Sequence, residues 1–177
     1  MKSLKPFNKT PQTESITLQG EITPLSNNRL LVKFKLSGQL NKILWPKPTA
    51  QIHREDGLWK HTCLEAFLGT GATPRSPYLE VNCAPNGNWN AYSFSSYREG
   101  MIPSAETRVR LQHHEPEQQE ALFEIEIDSK KPFDFTCLGL TAVIEFTDGS
   151  LSYWSLSHPG SDPDFHNKDG WIALSTH

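Results

Sequence analysis

Apolar and polar residues alternate with a period of two along much of the chain, the pattern of strands buried on one face. The clearest run is 29–37, with Leu30, Val32, Phe34 and Leu36 on one face and Lys33 and Lys35 on the other. Residues 14–25 place Ile16, Leu18 and Ile22 in the same way, interrupted at Gly20, where a bulge is expected. Asn27-Asn28 is a turn signal, so 14–37 reads as a hairpin.

Two further runs bring the first chemistry. Residues 61–68 set Leu64, Ala66 and Leu68 against Cys63, Glu65 and Phe67. Residues 78–84 set Leu79, Val81 and Cys83 against Tyr78, Glu80 and Asn82. Asn86-Gly87 then predicts a two-residue type I′ turn. That register pairs Leu79 with Phe94 and Val81 with Tyr92 on a core face. It pairs Glu80 with Ser93, Asn82 with Ala91 and Ala84 with Trp89 on the other.

The remaining segments follow the same scheme. Residues 106–113 alternate weakly, 115–120 form a polar connection, and 121–128 turn Phe123, Ile125 and Ile127 inward. Residues 129–135 predict a short helical turn. Residues 138–146 predict a central strand, and Asp148-Gly149 a second hairpin turn into 151–156. The loop 157–170 precedes a short strand at 171–174. Residues 1–12 read as a loose lead-in. Residues 38–58 read as a long irregular connection, whose Trp45 either plugs the core or overhangs a site. Nine or ten short strands, thirteen prolines, eleven glycines and no amphipathic helix predict an all-β chain, a β-sandwich with Greek-key or jelly-roll connections.

Composition narrows the classes. A chain of 177 residues is one domain by default. A net charge of −3 with scattered basic residues gives no footprint for nucleic acid or an anionic membrane surface. Three cysteines, an odd number without a C-x-x-C pair, argue against a disulfide framework and suit free thiols in a reducing compartment. With no apolar run behind Lys2 and Lys5 and no window near a membrane span, the expectation is a cytoplasmic protein. No G-x-S-x-G, H-E-x-x-H, P-loop or G-x-G-x-x-G sequence occurs, so the expectation is a binder and not an enzyme.

Glu65 stands alone as a charge in an apolar strand, which is costly unless the carboxylate is paired, hydrogen-bonded or open to a cleft. Arg98 is its candidate partner, and its planar donor fork suits a diol equally well. Trp59 either caps the sheet edge or forms a stacking platform. Asn82 either is solvated or reaches ligand hydroxyls. The loop after Trp154 holds His158, Asp162, Asp164 and His166, but H-x7-H matches no strong metal spacing and the Pro- and Gly-shaped loop satisfies itself. Glu65 with Asp164 has the chemistry of a glycosidase pair, which depends on a separation that sequence does not give. His113-His114 reads as an inert strand end.

The segments DGLWKHTCLEAFL, YLEVNCAPNGNWNAYSFSSYREGM and YWSLSHPGSDPDFH together resemble the bacterial DOMON-like proteins related to family 9 carbohydrate-binding modules, over about residues 15–175. The resemblance implies a sugar held between two tryptophan faces, with a carboxylate, an arginine and amide side chains bonding its hydroxyls. By motif, Trp59 and Glu65 take the places of one tryptophan and the carboxylate, and either Trp154 or Trp171 the second tryptophan. Arg98, Asn82 and His158 complete the candidate set. Haem-binding DOMON relatives use Met and His. Here Met1 and Met101 are the only methionines, so the haem ligand pattern is not clearly reproduced, and calcium has no clear ligand pattern either. The expected partner is a small sugar-like molecule, with a haem or redox module and a plain interaction domain as alternatives.

Overall fold

The run at 29–37 becomes strand β3 (Arg29–Gly38), antiparallel to β2 (Ile16–Ser26), with Leu18 opposite Leu36 and Ile22 opposite Val32. The computed structural model describes residues 1–116 and 119–174. The expectations for the His113 and His114 side chains and for positions 117–118 lie outside the described residues. The ladder runs unbroken through Gly20, which faces Phe34. The irregularity lies between Pro24 and Ser26, where proline has no N–H to give the ladder.

The first residues are not a loose lead-in. Strand β1 (Lys2–Pro6) pairs with β2 on one side and with β11 (Leu151–Ser155) on the other, and Leu4 is buried beneath it. One apolar residue in five leaves too little alternation for the sequence to betray a strand. The other strands are β4 (Cys63–Gly69), β5 (Tyr78–Cys83), β6 (Trp89–Phe94), β7 (Ile102–Pro103), β8 (Thr107–Pro116), β9 (Glu120–Ser129), β10 (Cys137–Glu145) and β12 (Ile172–Ala173). They form one curled antiparallel sheet in the order β7-β6-β5-β4-β10-β11-β1-β2-β3-β9-β8, with β12 against β10. Residues from both ends of this order meet in one core: Leu64, Ala66, Leu138, Leu140 and Ile144 from one half, Leu18, Val32, Phe34, Phe123 and Ile125 from the other. Trp45 packs against this core, its ring 6.0 Å from that of Phe123.

Among the described residues the only helical elements are single 3-10 turns, and no helix is long and apolar enough to cross a membrane. The helical turn expected at 129–135 is absent. Pro132 removes a donor, and Ser129 and Phe133 donate their N–H groups to Asn28 and Asn27 at the β2–β3 turn.

The β5–β6 hairpin departs from the expected register by one residue. Tyr78 faces Phe94, Glu80 faces Tyr92 and Asn82 faces Asn90, while Val81 faces Ala91 and Cys83 faces Trp89. A two-residue Asn86-Gly87 loop would need residue 85 to donate its N–H to Asn88, and Pro85 has none. The chain instead closes a three-residue loop. Ala84 donates to Asn88 at 2.8 Å, Gly87 donates to Ala84 at 2.8 Å, Pro85 takes the second turn position, and Gly87 adopts the left-handed φ of 92°. A shift of one residue moves a whole strand's side chains across the sheet. Tyr92 and Phe94 therefore leave the main core and join Tyr78, Glu80 and Asn82 on the opposite face.

Candidate functional site: an aromatic cleft over two buried glutamates

That opposite face carries Glu65 and Phe67 from β4, Tyr78, Glu80 and Asn82 from β5, Tyr92 and Phe94 from β6, Thr141 and Val143 from β10, and Tyr153 from β11. Phe67, Tyr78, Tyr92 and Phe94 form a second apolar cluster, against which Trp59, Phe165 and Trp171 pack. A cleft of about 300 Å³ remains open above it. Its walls are Trp59, Phe94, Tyr153, Phe165, Met101 and Pro163, and its polar groups are Glu65, Glu80, Arg98 and His166.

The loop 157–170 closes one side of the cleft and is held at three points. Trp171 donates its indole N–H to the Phe165 carbonyl at 2.8 Å, and its ring lies over Gly139, where an added Cβ would come within 2.9 Å of the indole. Lys168, only 7% exposed, donates its Nζ to the carbonyls of Gly71 and Ser76 and so ties the loop to the β4–β5 connection. Asp164 accepts hydrogen bonds from Tyr97 Oη, from Arg98 Nη2 at 2.8 Å and from the His166 N–H at 3.1 Å. Burial raises the Asp164 carboxyl, but the bonds from Tyr97 and Arg98 outweigh it and hold the group below the usual carboxylate range.

Arg98 is the one non-glycine among the described residues with positive φ, at 55°. It occupies the third position of a turn closed by the Glu99 N–H to Ser96 O bond, where a left-handed backbone is required and glycine is usual. The conformation costs an L-residue about 1–2 kcal/mol. Strain of this kind persists where the surroundings fix it, and here the Arg98 N–H donates to Tyr78 Oη while the guanidinium meets Asp164.

The two glutamates are diagonal neighbours, because Glu65 pairs with Asn82 and Phe67 with Glu80. Glu65 is 2% exposed. Its Oε2 accepts from Thr141 Oγ1 at 3.0 Å, and its Oε1 has no hydrogen-bond partner among the described residues. Burial pushes this carboxyl well above the ordinary range. The nearby Glu80 charge adds to that, and the Thr141 hydroxyl opposes it. Glu80 is raised too, again first by burial, with the Asn82 amide and Arg98 opposing. His166 lies edge-on to Phe67, Phe94 and Tyr78. Burial, then the Arg98 charge, lowers it to about 4, and burial raises Tyr78 to about 12. Both are neutral near pH 7. The Arg98 N–H already donates to Tyr78 Oη, so the phenol proton is assigned to His166 Nδ1, 2.7 Å away. Nε2–H then faces Glu80 Oε2 at 3.9 Å.

Three residues singled out from sequence, Trp59, Glu65 and Arg98, line this cleft. The proposed Glu65–Arg98 pair is absent, since Arg98 binds Asp164. Trp154 lies on the core face at 2% exposure and donates its indole N–H to Ser152 Oγ, so the adjacent Tyr153 is the β11 residue in the cleft. Trp171 supports the loop from behind the wall. Asn82 is fully buried and donates to Glu80 Oε1 at 2.7 Å, so it presents nothing to a ligand. His158 bonds the Lys5 carbonyl and packs on Phe7, away from the cleft. Glu80, Phe94, Tyr153, Phe165 and His166 were not foreseen as a group. Glu80 had a signal in its shared parity with Tyr78 and Asn82, and Phe165 in being the only aromatic of a polar loop.

No protein-family model matches this chain, and no curated protein matches it. A solved structure described as that of a putative carbohydrate-binding protein from Bacteroides uniformis is similar, with a TM-score of 0.61 at 10% sequence identity, over 97% of this chain and 84% of the other. At that identity the likeness is one of fold: this chain shares the all-β architecture of that protein.

Proposed function

We propose that the cleft binds a small polyhydroxylated molecule, a carbohydrate or sugar derivative, without transforming it, and that the fold is a β-sandwich of the DOMON and family 9 carbohydrate-binding-module kind. The observation that carries the reading is Glu65, a buried carboxyl with one oxygen unpartnered, at the floor of an aromatic-walled cleft. Leaving a buried acceptor unsatisfied costs about 1–3 kcal/mol, and a ligand hydroxyl placed on Oε1 recovers it. The C–H faces of a pyranose pack on Trp59 and its neighbours, which lose little conformational entropy in holding them. The similar fold of the Bacteroides uniformis protein supports this reading. Three free, buried thiols suit a reducing compartment, so the ligand is proposed to be an intracellular one.

A hydrolytic role is less well supported. Asp164, in the loop beside the cleft, already accepts from Tyr97, Arg98 and the His166 backbone and is not free to act as a base. Met101 and His166 both line the cleft, which invites the haem reading. The fit fails at His166: Nδ1 is taken by Tyr78, and the ring is wedged among three aromatic neighbours with Nε2 toward Glu80.

Calorimetric titration with a panel of mono- and disaccharides tests the proposal. Binding to one of them, weakened about ten-fold or more in Trp59→Ala, supports it. No heat from any sugar in the panel ends it.

A further inference from the structure

We infer that the ligand of this cleft carries a protonated amine, so that its class is an amino sugar or comparable amino-polyol and not a neutral sugar. The inference rests on the cleft being a ligand site and goes on to name the chemistry that the site selects.

The argument is one of unmatched charge. The titratable groups facing the two glutamates come from four strands and two loops: Cys63 and Glu65 on β4, Tyr78 and Glu80 on β5, Tyr92 on β6, Tyr153 on β11, and Arg98, Asp164 and His166 from the two flanking loops. Arg98 is the only arginine or lysine among them, and its Nη2 is already bound to Asp164 at 2.8 Å, so these two charges cancel. His166 is neutral and directed to Tyr78. Two carboxyls remain with no cation in contact. Among the described residues Glu65 Oε1 has no donor, and the Oε2 of Glu80 has only a distant imidazole at 3.9 Å. Because Thr141 and Asn82 occupy one oxygen of each carboxyl, the two remaining oxygens belong to diagonal neighbours on one face.

An alkylammonium matches this arrangement better than a hydroxyl does. It brings three donors from one compact atom, and it supplies the positive charge that the floor lacks. The walls favour the same class, since aromatic faces attract cations. A neutral sugar satisfies the orphaned oxygen but brings no positive charge to the floor.

Linkage follows. In the free protein burial raises both carboxyls, and the Glu80 charge raises Glu65 further, so each holds its proton to a higher pH than an ordinary glutamate. A bound cation favours their ionised forms, so binding expels protons and affinity rises with pH until the amine itself loses its charge. The wild-type chain is titrated calorimetrically with D-glucosamine, N-acetyl-D-glucosamine and D-glucose at about pH 5 and about pH 7, in two buffers of different ionisation enthalpy. The expected result is glucosamine binding about ten-fold or more tighter than the other two, tighter at the higher pH, with proton release seen as a buffer-dependent heat. Glu80→Gln and Glu65→Gln should remove the preference. If glucosamine binds no tighter than its N-acetyl form or glucose, or binds without proton release, the amine reading fails while the cleft remains a sugar site. If none of these sugars and no member of the wider panel binds, both readings fail.

Discussion

Asn82 donates its side-chain Nδ2 to Glu80 Oε1 at 2.7 Å from two positions along the same strand, and the strand register puts Asn82 directly opposite Glu65. The amide therefore sits between two buried carboxyls and is committed to one of them. Replacing it leaves Glu80 short of a donor in a site that already penalises charge. Asn82→Ala is expected to lower stability by about 1–3 kcal/mol. Because the amide also opposes the upward shift of Glu80, the loss should grow as the pH rises and Glu80 ionises. Urea unfolding at two pH values checks both parts.

Glu65 gives a second pH-dependent outcome. Its folded-state pKa lies well above that of the unfolded chain, so between the two the folded form holds a proton that the unfolded form has released. Stability therefore falls as pH rises above the ordinary glutamate value, by up to about 1.4 kcal/mol per pH unit within that window. Glu65→Gln keeps the Thr141 partner without a titrating group. Its stability relative to wild type should rise from about pH 4.5 upward and level off once Glu65 ionises in the folded protein. Parallel thermal melts of the two proteins across that range make the comparison.

His166 works in the opposite direction. Its pKa falls from 6.5 to about 4 on folding, so below about 6.5 the unfolded chain binds a proton that the folded one does not. Acidification from 6.5 to 4 therefore destabilises the fold, by at most about 3 kcal/mol from this group. His166→Gln should lose less stability than wild type over that interval, and the difference should vanish above about pH 7 apart from a constant offset. Denaturant melts along the acid limb show whether it does.

The all-β class and the β2–β3 pairing were legible because Leu30, Val32, Phe34 and Leu36 alternate without exception and all become buried. The turn at Asp148-Gly149 was legible for the same kind of reason, since Gly149 takes a φ of 82° that few residues accept. The candidate site was legible only in pieces. Trp59, Glu65 and Arg98 stood out as misfits in their segments. Their convergence depended on the register of β5 against β6, and that register turned on Pro85 lacking one N–H. With the register one residue off, Tyr92 and Phe94 fall into the core and Glu80 faces Ser93, so the paired glutamates and their aromatic surround cannot be assembled. Trp154 shows the converse limit: an aromatic beside a loop looks like a platform until the sheet shows which side it faces. The short strand β1 offered almost no pattern to read.

Arg98 separates folding from binding. Arg98→Gly relieves a left-handed backbone worth about 1–2 kcal/mol, while it loses a half-exposed ion pair with Asp164 and gains unfolded-state entropy. These effects oppose one another, so the variant should unfold within about 1 kcal/mol of wild type. Affinity for a neutral sugar should nonetheless fall about ten-fold or more, because the guanidinium leaves the cleft wall and its donors are lost. Chemical unfolding and calorimetric titration on the same preparation give both numbers.

The central claim is that ligand enters between Trp59 and the Glu65–Glu80 floor. Its most direct test is a two-dimensional amide NMR titration of the full chain with the tightest-binding sugar of the panel. The account predicts that the Trp59 indole N–H and the backbone amides of Glu65, Glu80 and Arg98 shift together along one binding curve, while the Trp154 indole, bonded to Ser152 in the core, stays in place. Shifts that cluster elsewhere, or that leave Trp59 and Glu65 unmoved at saturation, would contradict it.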